Sequence, residues 1–64
     1  MIEQVNIGYY LLTAEEEHRL NRVEVMAIAK GYVLWRRRGC LPGSKSCKAM
    51  LKFLNDNKAV QVKK

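Results

Sequence analysis

Sixty-four residues leave room for one small domain. A chain of about 60 residues buries only roughly 60% of the surface that its unfolded form exposes, so an independent catalytic domain with a deep pocket is excluded. The composition is 48% hydrophobic and 28% charged, with one proline and four glycines, which excludes long intrinsic disorder and points to a binding module or regulator.

Charge says more than composition. Twelve Lys and Arg against six Asp and Glu give +6, and the excess is polarised along the chain. Residues 1–24 hold five glutamates against Arg19 and Arg22, a balance of −3. Residues 25–64 hold ten basic residues, Lys63 and Lys64 among them, against Asp56 alone, a balance of +9. A polarised basic module of this size meets a polyanion, with nucleic acid as the first expectation and an anionic membrane or an acidic protein as the second.

No stretch approaches the roughly 18–20 apolar residues that span a bilayer, and Met-Ile-Glu-Gln lacks the basic and apolar regions of a signal peptide. Two cysteines, Cys40 and Cys47, fall short of a secreted disulfide scaffold, so a cytoplasmic protein with reduced thiols is expected. Together with the lone His18 they also fall short of a closed zinc site, unless one is shared across a dimer. Neither a metal nor a cofactor is expected, and no catalytic constellation supports an enzyme.

In chain order, residues 2–12 (IEQVNIGYYLL) suit a short strand or an extended arm packed on the domain, weakened by Gly8. Tyr9 and Tyr10 are read as core and rim rather than as base-stacking platforms. Thr13 with Glu16 has capping-box spacing, and Glu15, Glu16 and Glu17 suit the positive end of a helix dipole, which predicts a helix from Ala14. Asn21 with Glu24 repeats the spacing, so the first helix stops near Leu20 and a second runs from Arg22 to Lys30, closed by Gly31. Leu20, Val23 and Ala27 line one side of that segment, although it is apolar nearly all round. The competing reading is a β-hairpin across residues 22–38, with Lys30-Gly31 between two runs of β-branched and aromatic residues.

Tyr32 to Trp35 form an apolar patch directly before Arg36, Arg37 and Arg38. Pro42-Gly43 marks a turn, and Ser44 or Ser46 caps a last helix running to about Leu54. In that helix Cys47, Met50, Leu51 and Leu54 form an apolar stripe, with Lys45, Lys48 and Lys52 opposite. Asn55-Asp56-Asn57 stops it, and Ala59 to Val62 alternate like a short final strand.

The candidate binding residues are therefore Arg36, Arg37, Arg38, Ser44, Lys45, Lys48 and Lys52. Guanidinium groups hold phosphates bidentately, and the free amides of a capped helix accept a phosphate oxygen. Lysines opposite an apolar stripe are also what any solvated helix shows. Three adjacent arginines beside Trp35 are harder to assign to solvation, because they repel one another without a counter-anion.

Leu12-Thr13-Ala14-Glu15-Glu16, Arg19-Leu20, WRRRGCLPGSK at 35–45 and the apolar pair at 53–54 resemble the small winged-helix DNA-binding proteins of the MerR and phage-excisionase group. The stretch from Thr13 to Trp35 is about four residues longer than in that pattern. One alignment turns Arg36, Arg37, Arg38 and the preceding helix to DNA, and the other turns Ser44, Lys45, Lys48 and Lys52. The resemblance implies an architectural protein of a phage or mobile element that binds beside an integrase site, bends DNA and in many cases represses a promoter.

The expectation is a mostly α protein with a short β element, a small helix-turn-helix or winged-helix domain, the alternative being α+β with the central hairpin. It would bind duplex DNA as a transcriptional or recombination regulator, with Arg and Lys on phosphate, one helix in the major groove and a homodimer or cooperative oligomer on the site. The alternatives are a protein-interaction module such as a phage-coded inhibitor, and an RNA-binding protein.

Overall fold

The segment RVEVMAIA, expected as helix, is the longest strand. The computed structural model describes residues 2–62, with Arg19 by its backbone only, so Lys63 and Lys64 of the basic half lie outside the described residues. Five strands form one antiparallel sheet: β1 (Gly8–Leu12), β2 (Arg22–Ala29), β3 (Tyr32–Arg37), β4 (Gly43–Ser46) and β5 (Ala59–Val62), in the order β4-β3-β2-β1-β5. One helix of ten residues, α1 (Cys47–Asp56), connects β4 at one edge with β5 at the other, so it crosses a single face of the sheet.

The architecture is thus mostly β, which corrects the mostly α expectation and with it the helix-turn-helix and winged-helix assignments. The fold implied by the resemblance to the MerR and excisionase group fails on the same ground, because neither helix expected between residues 14 and 30 forms. Residues 22–37 make a hairpin whose turn has φ of 54° at Lys30 and 78° at Gly31. Two successive positive φ angles match the twist of the strands they join, and glycine takes the second without steric cost.

A bulge explains why the segment looked helical. Val25 pairs with Trp35 and Ala27 with Leu34, so Met26 is an extra residue on β2. The helix-side positions of β2 become Val23, Val25 and Ile28, a spacing in which the two-residue period of a strand is broken.

The capping-box residues are used differently. Thr13 Oγ1 donates to the Lys58 carbonyl (2.7 Å) and the Ala14 amide to the Asn57 carbonyl (3.0 Å), tying the β1–β2 connection to the turn after α1. Only a three-residue 3-10 turn, His18–Leu20, follows.

Tyr10 and Leu12, Val23 and Val25, Val33 and Ala59 point from the sheet towards Met50 and Leu54 of α1, and together with Val5 they form the buried core. Cys47, Leu51 and Phe53 pack at its margin. The serine that caps α1 is Ser46, whose Oγ accepts from the Ala49 amide at 3.2 Å. The N-terminal arm lies against the end of α1 through a reciprocal pair. The Ile2 amide donates to Asn55 Oδ1 (2.8 Å), and Asn55 Nδ2 donates to the Ile2 carbonyl (2.9 Å).

Two predictions follow the packing. Leu54→Ala removes a fully buried side chain and should cost about 2–5 kcal/mol in urea unfolding. Lys58 holds a left-handed φ of 50°, where glycine is free of the β-carbon clash, so Lys58→Gly should raise the urea midpoint, with a gain of up to about 1 kcal/mol.

Candidate functional site

The alternation of a strand decides where three consecutive arginines go. On β3, Val33, Trp35 and Arg37 lie on the face that α1 covers, whereas Tyr32, Leu34 and Arg36 lie on the open face. Arg38 follows in the turn and shares a groove with Arg36 on the open face. The sequence cluster is therefore split between two surfaces.

Across the open face the register sets two rows. Val62, Tyr9, Glu24 and Arg36 form one, from β5 to β3. Val60, Leu11 and Arg22 form the next, continued by Arg38, whose amide donates to the Arg22 carbonyl at 3.2 Å. The two rows border a groove of about 420 Å³. Its apolar side comes from Tyr9, Leu11 and Val62, and its charged side from Arg22, Arg36, Arg38 and Glu24. Arg36 Nε donates to Glu24 Oε1 at 2.9 Å, which fixes that guanidinium beside the groove. Arg22 and Arg38 make no ion pair among the described residues, so the groove has an excess of two positive charges. Further along β2 and β3 the same face turns apolar again, with Ala27, Ala29, Leu34 and an exposed Tyr32.

The covered face holds the remaining candidates. Arg37 is half-buried: its Nη1 donates to the Leu20 carbonyl (3.3 Å) and lies 3.8 Å from Glu15 Oε2, and its guanidinium stands 5.6 Å from the centre of the Phe53 ring. It thereby pins the β1–β2 connection against the sheet. Lys45 is placed over Trp35 and Phe53, at 5.5 and 5.6 Å from their ring centres. Those two rings lie 5.3 Å apart in a tilted arrangement, so the aromatic pair is shared by two cations. Trp35 Nε1 is buried with no acceptor among the described residues. Lys48 and Lys52 are exposed on α1, one turn apart. Ser44 lies on edge strand β4 opposite Leu34, on the open face.

The seven sequence candidates do not form one site. Arg36 and Arg38 share the groove, and Arg37, Lys45, Lys48 and Lys52 belong to the helix side. Arg22, Tyr9, Leu11 and Val62 were missed. They become neighbours only through the β2-β1-β5 order, which no local spacing encodes. The signal within reach was the alternation itself, which assigns Arg36 and Arg38 to one side and Arg37 to the other.

The two kinds of arginine should behave differently on unfolding in urea. Arg37→Ala should lose roughly 1–2 kcal/mol, because a half-buried hydrogen bond and a ring contact disappear. Arg36→Ala breaks an exposed pair and should cost no more than about 1 kcal/mol.

Compared with known protein families, curated proteins and solved structures, the chain matches none.

Proposed function

We propose that this chain is a small cytoplasmic DNA-binding protein that holds the phosphate backbone on the open face of its sheet. The observation that carries the reading is the groove into which β2, β3 and the turn after β3 bring three arginines against one carboxylate. Guanidinium groups offer planar paired donors that match phosphate oxygens, and an exposed groove keeps them accessible. The lysines of α1 and the total charge of +6 strengthen the positive field that draws a polyanion to the molecule.

This reading replaces a helix in the major groove with a sheet face. The consecutive arginines are on a strand and its turn, and α1 is occupied by the core along Met50 and Leu54. Backbone contacts of this kind supply affinity and salt sensitivity rather than sequence selectivity.

Fluorescence anisotropy with labelled oligonucleotides, single-stranded and duplex, across a potassium chloride series tests it. Binding should weaken linearly in a double-logarithmic plot, with a slope of about −2 to −3 if three phosphates are neutralised. The double variant Arg36→Glu, Arg38→Glu should weaken binding by tenfold or more, and Lys48→Glu with Lys52→Glu by a smaller factor. No binding at low salt, or a stronger loss from the helix lysines than from the groove arginines, overturns the reading.

A further inference from the structure

We propose that the open-face groove is a site for single-stranded DNA, in which an unpaired base stacks on Tyr9 while its flanking phosphates meet Arg22, Arg36 and Arg38. The inference rests on the DNA-binding reading above and names the form of DNA that the site accepts.

The argument begins with the contrast between the two sides of the groove. Three arginines suit phosphate oxygens, but Tyr9, Leu11 and Val62 do not. A duplex presents its charged backbone outward and keeps its base faces stacked inside, so docking it here would press phosphates or water against apolar side chains. A single strand presents both chemistries at once, a planar apolar base and a charged phosphate at each nucleotide. A groove with an aromatic side and a cationic side matches that alternation, and stacking on an aromatic ring accepts any base because each has a π-face.

The register supports a path across the sheet. Tyr9, Glu24 and Arg36 are neighbours on three adjacent strands, so the ring and the Arg36 guanidinium are separated by the width of one strand. The Glu24 carboxylate is engaged by that guanidinium and fixes it in place. Beyond Arg36 the same face continues to Leu34 and Tyr32, and Tyr32 is 61% exposed. Tyr32 and Arg36 are four positions apart on β3, roughly 13 Å at the usual rise, so a second aromatic surface is available to a nucleotide further along the strand. Recognition of RNA over DNA requires polar groups placed for the 2′-hydroxyl. The polar side-chain groups bordering this groove are three guanidinium groups, which the phosphates occupy in this assignment, the Glu24 carboxylate, which Arg36 holds, and the Tyr9 hydroxyl at the edge of the stacking ring. No polar group is therefore set aside for a ribose.

The test compares the intact chain for binding to a twelve-nucleotide deoxythymidine oligomer, a duplex of equal length and the matching uridine oligomer, at one low salt concentration. The deoxythymidine oligomer should bind at least tenfold more tightly than the duplex and no more weakly than the uridine oligomer. Tyr9→Leu, which keeps an apolar side chain but removes the ring, should weaken its binding about tenfold, and Tyr9→Phe should restore it. Thermal melting of both variants checks that the fold is retained. Equal or tighter binding of the duplex, tighter binding of the uridine oligomer, or an unchanged affinity in a folded Tyr9→Leu variant overturns the single-strand assignment alone. Absence of binding to every oligomer, or indifference to Arg36→Glu with Arg38→Glu, defeats the DNA-binding reading beneath it.

Discussion

One helix of ten residues has to cover a sheet of five strands, and it can cover only one side. The constraint comes from topology, since β4 and β5 occupy opposite edges and α1 is the link between them. Among the described residues, the fully buried side chains therefore gather between α1 and one face, from Tyr10 and Leu12 to Met50 and Leu54. The other face stays in water with whatever the alternation assigns to it. Here it receives arginines at its centre, with apolar and aromatic side chains on either side. The same device that produces the core, a period of two along each strand, produces the candidate surface.

The arginine triplet shows how a local cluster acquires two unrelated duties. Arg37 points inward and spends its charge on Leu20, Glu15 and the Phe53 ring, so it holds the long β1–β2 connection in place. Arg36 and Arg38 point outward to the groove. Reading the three as one patch treats the strand as if it had a single side. The lysines illustrate the converse. Lys45 reads as a solvated partner of Lys48 and Lys52, yet it is drawn over two aromatic rings while the other two remain in solvent.

What could be read from the sequence was whatever depended on near neighbours. The apolar stripe of α1, its serine cap, the final strand at Ala59–Val62 and the packed arm before β1 all follow from local spacing. The helices expected between residues 14 and 30 rested on local signals too, but tertiary contacts claimed those residues. Thr13 has the chemistry of a cap and gives its hydroxyl hydrogen to Lys58, a residue 45 positions away. In β2, one extra residue at Met26 breaks the alternation that would have marked a strand. The groove was beyond reach for the same reason, because Tyr9, Arg22 and Val62 meet only after three strands have paired.

The pairing of β1 with β5 also governs how the chain can be assembled. Residues 9–12 find their partners on one side at 59–62, so that edge of β1 stays unpaired until the chain has grown by some fifty residues. During synthesis the β2–β3 hairpin can close early, because its turn is only two residues long. The β1 strand must wait with one row of backbone amides and carbonyls open to water. Sheets closed by such distant pairings fold slowly, in the range of about milliseconds to seconds, and expose strand edges meanwhile. Residues 59–62, made some fifty residues after β1, are therefore the ones that protect that strand from pairing with another copy.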